Sequence, residues 1–306
     1  MNRNITDFFK IPEGIRVPWL GGVLYRFFVK LDNKSILKEK IPKNPLNTGD
    51  RKEKIIVSLT SFPARINKVH LSIKSLMLQT CKPDKIILWL ANEQFPDKNL
   101  PQELLKLCDY GLEIRYCDDL RSHKKYYYAL KEQREDELVV TYDDDLIYPP
   151  KSIERLYKKH KQYPDCIVCN RAQACKVENG KFGPYSTWKV LSDEGVKTPS
   201  TRLFPSTGGG TMYPYNKVSG EAFNKEAIFN SALSSDDIWM RFMSAKAKTK
   251  IIKTRKYHKT FIPIQGSQIE SLQIENCLEG GNDRVISNLS NLYPEAVEFI
   301  ESRKKD

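Results

Sequence analysis

Three consecutive aspartates, Asp143, Asp144 and Asp145, stand directly after the apolar run Leu138–Tyr142. The run is short and rich in β-branched and aromatic residues, which predicts a buried strand. Adjacent carboxylates repel one another, and a divalent cation such as Mg²⁺ or Mn²⁺ would relieve that repulsion. In open α/β sheets, ligands bind at the carboxyl ends of the strands, where this acid triplet is predicted to lie. The alternative is a solvated acidic turn before a helix at Lys151, because acids favour helix N-termini.

A regular alternation of strands and helices would position that triplet. Strands are predicted at residues 54–61, 85–91, 112–117 and 138–142, and helices at residues 66–79, 102–108 and 124–134. The alternation predicts an α/β, Rossmann-like fold, in which a mostly parallel sheet is flanked by helices. No GxGxxG motif follows the first strand, which argues against a dinucleotide cofactor.

The second half of the chain is less regular. Helices are predicted at residues 151–161, 221–231 and 236–245 and from Pro294 onward, and strands at residues 166–170 and 250–254. A long loop region is expected to run to about Gly220.

Composition excludes several classes of protein. The chain has 306 residues, of which 40% are apolar and 29% are charged, as in soluble globular proteins. It has no run of about 18 apolar residues that could span a membrane, and no secretory signal at its start. The seven cysteines lack disulfide-framework spacing, and the CxxC pair of Cys166 and Cys169 lies in a strand-like run, which favours buried thiols over zinc. These features favour a reducing cytoplasm.

The net charge of +12 is concentrated near the N-terminus. Residues 1–54 contain 12 Lys and Arg against 6 Asp and Glu, a balance of +6. There, the apolar and aromatic segment Val17–Val29 precedes Lys30, Lys34 and Lys38. A basic amphipathic extension of this kind fits the surface of an anionic bilayer, and the alternative is a helix packed on the domain. No nucleic acid is expected as a partner, because the basic residues are spread without an aromatic RNA-binding motif.

Six short segments carry a resemblance to a known family. In chain order they are Ser58–Arg65 (SLTSFPAR), His123–Leu130 (HKKYYYAL), Tyr142–Asp145 (YDDD), Gly208–Pro214 (GGGTMYP), Asp236–Trp239 (DDIW) and Gly281–Asp283 (GND). Together they cover roughly residues 54–285. They resemble bacterial GT-A fold, family-2-like glycosyltransferases of surface polysaccharide (capsule or lipopolysaccharide) biosynthesis.

The resemblance implies a metal site that uses Mn²⁺ or Mg²⁺. Asp143 and Asp145 match the two acids of the family's D-x-D motif. Asp145 would ligate a cation that bridges the nucleotide diphosphate, and Asp143 would contact the ribose or, through water, the metal. The cation would neutralise the charge that develops as the nucleoside diphosphate leaves. His258 is a further candidate ligand, with a surface or packed histidine as the alternative.

The resemblance also implies a nucleotide-sugar site at the carboxyl ends of the first strands. Besides Asp143, its candidate contacts are Thr60, Ser61, Arg65, Asn92, Glu93, Lys124 and Lys125. Hydroxyls and a guanidinium suit a base edge and a diphosphate, although Ser61 could instead cap the next helix. One of the two lysines is expected to reach the nucleotide and the other to be solvated. A UDP-sugar is the first choice of donor, but Asn92 and Glu93 stand where the family usually places an aspartate against uracil, which puts the base in doubt.

Asp236 and Asp237 match the acid pair of inverting enzymes in this family. Asp237 is the first candidate for the general base that takes the proton of the acceptor hydroxyl, and Asp236 is the second. The alternative is an ordinary helix N-terminus, where aspartates are favoured. The acceptor is expected to contact a glycine loop at Gly209 and Gly210, and Trp239 by stacking, although Trp239 could equally face the core.

The sequence thus predicts a metal-dependent inverting glycosyltransferase that moves a sugar from a nucleotide-sugar to a glycan or lipid-linked acceptor. An extension of residues 1–53 would hold it on the inner face of the cytoplasmic membrane. The catalytic domain is predicted at residues 54–255, with a nucleotide-binding half at residues 54–150 and an acceptor half at residues 151–255. Residues 256–306 would form a lid, ordered by Asn282 and Asp283, and a tail helix.

Two other kinds of protein remain open at this point. A metal-dependent nucleotidyltransferase would need a phosphate-binding motif such as GxxxxGKS/T, which the sequence lacks. A non-catalytic carbohydrate- or nucleic-acid-binding protein would exploit the positive charge.

Overall fold

The computed structural model describes residues 29–31, 33–189, 192–256, 261–267 and 280–302. Their strands are β1 (Lys54–Thr60), β2 (Lys85–Ala91), β3 (Leu112–Cys117), β4 (Glu137–Tyr142), β5 (Leu146–Ile147), β6 (Ile167–Cys169), β7 (Ala172–Ala174), β8 (Val177–Glu178), β9 (Lys181–Phe182), β10 (Leu203–Pro205), β11 (Gly209–Tyr213), β12 (Ile251–Lys253) and β13 (Ile262–Pro263). Within the described part of the chain, seven of them form a central sheet in the order β12-β6-β11-β4-β1-β2-β3.

The central sheet is mostly parallel, as predicted. β3, β2, β1 and β4 pair in parallel, and so do β6 and β12. β11 runs antiparallel between β4 and β6 and has a bulge between Gly209 and Thr211. The strands that end beside the acid triplet therefore share one carboxyl edge, which is the usual ligand-binding edge of such sheets.

The described helices flank this sheet. They are α1 (Val69–Met77), α2 (Gln102–Leu105), α3 (Lys124–Lys131), α4 (Ser152–Gln162), α5 (Lys225–Ser231), α6 (Asp236–Lys246), α7 (Gly281–Leu292) and α8 (Pro294–Glu301). Most fall where the sequence predicts them, with ends shifted by a few residues. The predicted helix at residues 66–79 is shorter, because residues 63–68 form turns before α1 begins.

Two hydrophobic clusters sandwich the sheet. Alternate residues of β1 face opposite sides, as a strand's period of two requires. Val57 and Leu59 pack with α1 and α4 on one side, and Ile56 belongs to the cluster of α3, α6, α7 and α8 on the other. Both faces of the parallel strands are covered, which explains their nearly continuous apolar sequence.

The last two helices belong to the second cluster. Leu289 of α7 and Ile300 of α8 are fully buried, and both helices pack against α6. Asn282 and Asp283 lie in the first turn of α7, where a carboxylate oxygen of Asp283 accepts a hydrogen bond from the backbone N–H of Tyr185 at 2.8 Å. The two residues therefore belong to a packed helix.

Part of the N-terminal extension packs on the domain. Residues 29–31 and 33–38 are helical, and Ile36 is buried against Leu71 and Ile264. The amide of Asn33 donates to the carbonyl of Pro263 at 3.0 Å. Most of the predicted bilayer-binding segment, up to residue 28, lies outside the described residues. No helix in the described ranges is long and apolar enough to cross a membrane.

Candidate functional site

Each acid of the triplet pairs with a cation from another element. Lys125, in the first turn of α3, donates to Oδ1 of Asp143 at 2.7 Å. Arg65, in the loop between β1 and α1, lies 2.9 Å from Oδ1 of Asp144 and 3.0 Å from Oδ2 of Asp145. The side chain of Asp143 is 36% exposed and that of Asp145 is 12% exposed. The triplet is therefore a partly shielded, charge-paired site rather than a solvated turn.

Asp144, the middle acid, anchors the loop after β1. The hydroxyl of Ser61 donates to its Oδ2 at 2.5 Å, and the guanidinium of Arg65 donates to its Oδ1. Burial raises the pKa of Asp144, although Arg65 and the Ser61 hydroxyl oppose the rise. Ser61 is buried and its hydroxyl faces Asp144, so the cap alternative is wrong: α1 begins later, after Lys68.

The backbone of Asp143 is fixed by Tyr148 and Gly208. The N–H of Asp143 donates to the Tyr148 hydroxyl at 2.8 Å, and that hydroxyl donates to the carbonyl of Gly208 at 2.7 Å. A Cβ atom on Gly208 would lie 1.7 Å from Oδ2 of Asp143. Only glycine fits this position without displacing the carboxylate.

The acid pair Asp236 and Asp237 begins α6 and meets a single threonine. The Thr207 hydroxyl lies 2.6 Å from Oδ2 of Asp236 and 2.6 Å from Oδ1 of Asp237. The Thr207 N–H also donates to Asp237, at 2.7 Å. Lys125 lies 3.0 Å from Oδ2 of Asp236, so one ammonium joins the acid pair to the acid triplet.

Their surroundings separate the proton affinities of the two acids. Burial acts to raise the pKa of Asp236, but the charge of Lys125 and the hydrogen bonds from Thr207 and Lys125 act together against it, and the value is lowered to about 2. Burial and the neighbouring Asp236 charge raise the pKa of Asp237 to about 6. A buried neutral histidine completes the surroundings, since burial lowers the pKa of His123 to about 4. Its Nε2 lies 2.9 Å from the Ala232 carbonyl, which can only accept, so Nε2 carries the proton.

Neither lysine of the predicted nucleotide site is solvated, which corrects that expectation. Lys124 is buried and pairs with Asp119, which also accepts a hydrogen bond from the amide of Gln94 at 2.9 Å. The side chain of Lys125 is 5% exposed and is engaged by Asp143 and by the acid pair. Both lysines are buried because a carboxylate balances each charge.

The other predicted nucleotide contacts lie at the carboxyl edge of the sheet. The Thr60 hydroxyl donates to the Trp89 carbonyl at 2.8 Å. Asn92 and Glu93 form an exposed turn directly after β2. Asp119, which follows β3, was not among the predicted contacts, although its place after a strand of the same edge could have indicated it.

The predicted acceptor contacts need correction. Trp239 has no exposed surface, and its ring nitrogen donates to the Ala222 carbonyl at 3.3 Å, so it is a core residue and cannot stack on a sugar in this conformation. Gly209 and Gly210 belong to β11 rather than to a loop, and both are buried. Glycine is needed there because Gly210 has φ +85° and packs against Tyr142 and Asn170.

His258, the additional metal candidate, lies outside the described residues. Within the described ranges, no three His, Cys, Asp or Glu side chains gather as a group that could hold a metal ion by themselves. Any cation at Asp143 and Asp145 would therefore need ligands from a substrate or from water.

Thr207 is the residue that the sequence analysis missed and the structure makes central. It is fully buried, and its carbonyl accepts a hydrogen bond from the Thr141 hydroxyl at 2.7 Å. Its only sequence signal was its position directly before the three glycines of the resemblance, because its acid partners lie about 30 residues further along the chain.

Together, the fold and the site define an α/β enzyme of the GT-A, Rossmann-like class, with acids gathered at one edge of a mostly parallel sheet. The chain belongs to glycosyl transferase family 2, whose sequence model matches residues 65–219, about half of the chain. It is therefore a glycosyltransferase, which decides against the nucleotidyltransferase and the non-catalytic alternatives.

The other comparisons add little. No curated protein sequence matches the chain. One similar solved structure is the mannosyltransferase PcManGT from Pyrobaculum calidifontis in complex with GDP-Man and Mn²⁺, at 13% sequence identity and a TM-score of 0.44. The match covers 92% of this chain and 81% of that one. A likeness of this size identifies no substrate for the present chain.

Proposed function

We propose that this glycosyltransferase is metal-dependent and inverting, and that it moves a sugar from a nucleotide-sugar to a hydroxyl of a glycan or lipid-linked acceptor. The observation that carries the proposal is the position of the acid triplet and the acid pair on either side of one buried ammonium, that of Lys125. The triplet could hold a cation that binds the departing nucleoside diphosphate, and the pair could take the proton of an attacking hydroxyl. These are the two ends of a single displacement, which inverts the sugar carbon.

The acid triplet fits a divalent cation by charge and by ligand type. The triplet and the acid pair hold five carboxylates against two nearby cations, Arg65 and Lys125. When the acids are ionised, the site keeps a net negative charge. Mg²⁺ in nucleotide enzymes is typically bound by one or two carboxylates together with substrate phosphates and water, rather than by an all-protein cage. Asp145 and Asp143 would hold the cation, which when bound neutralises the charge of the leaving phosphates.

Asp237 is the proposed general base. It is partly exposed, and its pKa is raised to about 6. Because this value is still below neutral pH, Asp237 is ionised there, and it is a stronger base than an ordinary aspartate. Asp236 is buried and held by Lys125 and Thr207, so it serves as a fixed charge. This arrangement supports the first candidate of the sequence analysis over the second.

The donor, the acceptor and the cellular setting remain part of the proposal. A UDP-sugar is the first choice of donor, with Asn92, Glu93 and Asp119 at the sheet edge as candidate contacts to the base. A glycan or lipid-linked acceptor fits a role in capsule or lipopolysaccharide synthesis at the inner face of the cytoplasmic membrane. Exposed Lys30, Lys34 and Lys38 would meet anionic headgroups there.

The test is nucleotide release from a panel of UDP-, GDP- and CMP-sugars, with Mn²⁺, with Mg²⁺ and with EDTA. We expect turnover with sugars of one base only, and its loss in EDTA. Asp145→Asn and Asp237→Asn should each lower the rate by about 100-fold or more.

Asp109→Asn is the matched control, because Asp109 is an exposed aspartate outside the two acid groups. It should leave the rate unchanged. Full turnover in EDTA would refute the metal dependence, and undiminished turnover in Asp237→Asn would refute the base assignment.

A further inference from the structure

Both the side-chain ammonium and the backbone carbonyl of Lys125 are held by hydrogen bonds. Its ammonium lies between Asp143, at 2.7 Å, and Asp236, at 3.0 Å. Its backbone carbonyl accepts a hydrogen bond from the buried Ser58 hydroxyl of β1, at 2.5 Å. An ammonium held in this way neutralises the protein's own carboxylates. A lysine that binds a substrate phosphate would instead be expected at the exposed surface of the site.

Thr207 presents one hydroxyl proton to two carboxylates. Its Oγ1 lies 2.6 Å from an oxygen of Asp236 and 2.6 Å from an oxygen of Asp237. A hydroxyl donates a single proton, so it can satisfy only one of two ionised acids at a time. The second short contact is favourable only when one acid of the pair carries a proton of its own.

Lys125 decides which acid carries that proton. It touches Asp236 and favours the ionised form of that acid. Asp237 accepts a hydrogen bond from the Thr207 N–H, lies within hydrogen-bond distance of the Thr207 hydroxyl, and is the more exposed of the two acids. The geometry therefore divides the roles within the acid pair.

We propose that Lys125 and Thr207 are positioning residues that hold Asp236 as a permanent carboxylate and leave Asp237 as the one acid of the pair that exchanges a proton with an acceptor hydroxyl. The proposal rests on the proposed function for the identity of that acceptor. The division of roles itself is a property of the folded protein and can be measured without a substrate.

The proton affinity of Asp237 depends on groups from every element that packs around it. They are Asp236 on α6, Lys125 on α3, Asp143 after β4 and Tyr213 on β11, while Tyr126 on α3 and His123 just before α3 act on the neighbouring Asp236. The positive charge of Lys125 and the Thr207 hydroxyl both act to lower the pKa of Asp237. Removal of either should therefore raise it.

The direct test is carboxyl ¹³C NMR of aspartate-labelled protein, with the Asp237 signal assigned from its loss in Asp237→Asn. In the wild type, Asp237 should titrate near pH 6 and Asp236 should stay ionised throughout the folded range. Lys125→Met and Thr207→Val, which keep size and remove charge or hydroxyl, should raise the Asp237 midpoint by about one pH unit. Thr207→Ser keeps the hydroxyl and should leave the midpoint near its wild-type value.

A kinetic test separates positioning from phosphate binding. With a donor that the wild type turns over, Lys125→Met should lower kcat by about 100-fold and move the acidic limb of the pH–rate profile upward, because a base must be deprotonated to act. Affinity for UDP or GDP measured without metal should not fall, since the Lys125 ammonium is already engaged by Asp143 and Asp236.

The outcomes that would overturn the proposal are specific. An Asp237 that titrates near 4, or a midpoint unmoved by both Lys125→Met and Thr207→Val, would remove the division of roles. Loss of nucleotide affinity with an unmoved pH limb would make Lys125 a phosphate ligand instead. Absence of any turnover by the wild type would count against the proposed function alone, because the NMR titration does not require it.

Discussion

Asp144 has the least obvious role among the acids of the site, since its neighbours match a known motif and it does not. The structure shows that it holds Ser61 and Arg65, and with them the loop after β1. Arg65 also reaches Asp145 and, through its Nε, donates to the Ser267 carbonyl at 3.0 Å. The middle acid thus fixes the loop after β1, and the two outer acids are the more exposed members of the triplet.

Asp237 illustrates a conflict between stability and chemistry at a single residue. Its pKa is raised from an ordinary 3.8 to about 6, so the folded protein binds this proton more tightly than the unfolded chain. The free energy of unfolding therefore decreases as pH rises from about 4 to about 6, and below about 4 Asp237 costs no stability. Asp237→Asn should stabilise the protein at pH 7.5 by about 2–3 kcal/mol and give no gain near pH 4, while it lowers the rate of transfer by about 100-fold or more.

Urea unfolding of the two proteins at both pH values measures this difference. A variant no more stable than the wild type at pH 7.5 would contradict the raised pKa. Asp109→Asn serves again as the control, with no expected gain at either pH.

Gly208 is required for steric reasons. The added Cβ of Gly208→Ala would lie 1.7 Å from a carboxylate oxygen of Asp143, which must then move. We expect the rate of nucleotide release to fall by at least about tenfold, with folding retained. Gly220→Ala is the matched control, because nothing lies within 4 Å of its added Cβ. Equal rates for the two variants would show that the position of Asp143 does not matter.

At the scale of elements, the α6 helix that carries the acid pair is supported by α8. Ile300 of α8 is fully buried in the same cluster as Trp239 of α6. Ile300→Ala should therefore lower the free energy of unfolding by about 2–5 kcal/mol. The rate per folded molecule should stay unchanged, because the substitution removes apolar packing at Ile300 and none of the polar contacts of the acids.

Chemical denaturation, with activity measured at low temperature, separates these two effects. The exposed Glu298 on the same helix provides the control, since Glu298→Ala should change stability by less than about 0.5 kcal/mol. A fall in rate without a fall in stability would show that α8 acts on the site directly.

The sequence predicted the elements with strong periodicity and the acids at their ends. β2 and β3 begin and end where predicted, because each is an apolar or alternating run bounded by turn residues. α7 was predicted as part of a lid, although Val285, Ile286 and Leu289 have helical spacing that could have identified it.

The contacts within the site could not be predicted in the same way. Thr207 contacts acids about 30 residues later in the chain, and local sequence patterns do not predict contacts at that separation. The two adjacent lysines are identical in type, yet Lys124 pairs with Asp119 and Lys125 with Asp143, which only the fold decides. Trp239 was ambiguous in sequence because the residue type alone does not show whether a tryptophan lies in the core or stacks on a sugar.

At the scale of the whole molecule, three exposed lysines lie on the helical segment that precedes the catalytic domain. Lys30, Lys34 and Lys38 are exposed, while the segment beginning at Asn33 packs on the domain through Ile36. We expect the full chain to bind phosphatidylcholine vesicles that carry phosphatidylglycerol, and to bind pure phosphatidylcholine much more weakly. At about 1 kcal/mol per lysine, replacing all three with Gln should weaken binding by about 100-fold.

Vesicle sedimentation at low and high salt measures this binding. Replacing the exposed Lys106, Lys131 and Lys176 with Gln removes the same charge elsewhere and is the control. Equal losses from both triple variants would mean that net charge alone, and not the extension, attracts the protein to the membrane.

The most direct test of the proposed two-part site is the position of Mn²⁺ in crystals grown with Mn²⁺ and the nucleoside diphosphate of the preferred donor. The measurement is an anomalous difference map, which locates the metal independently of the rest of the structure. We predict one strong peak that contacts the Asp145 carboxylate and the diphosphate, with Lys125 still between Asp143 and Asp236. Bound nucleotide without a peak at Asp145, or a metal held by the acid pair instead, would contradict the assignment of the triplet to the leaving group.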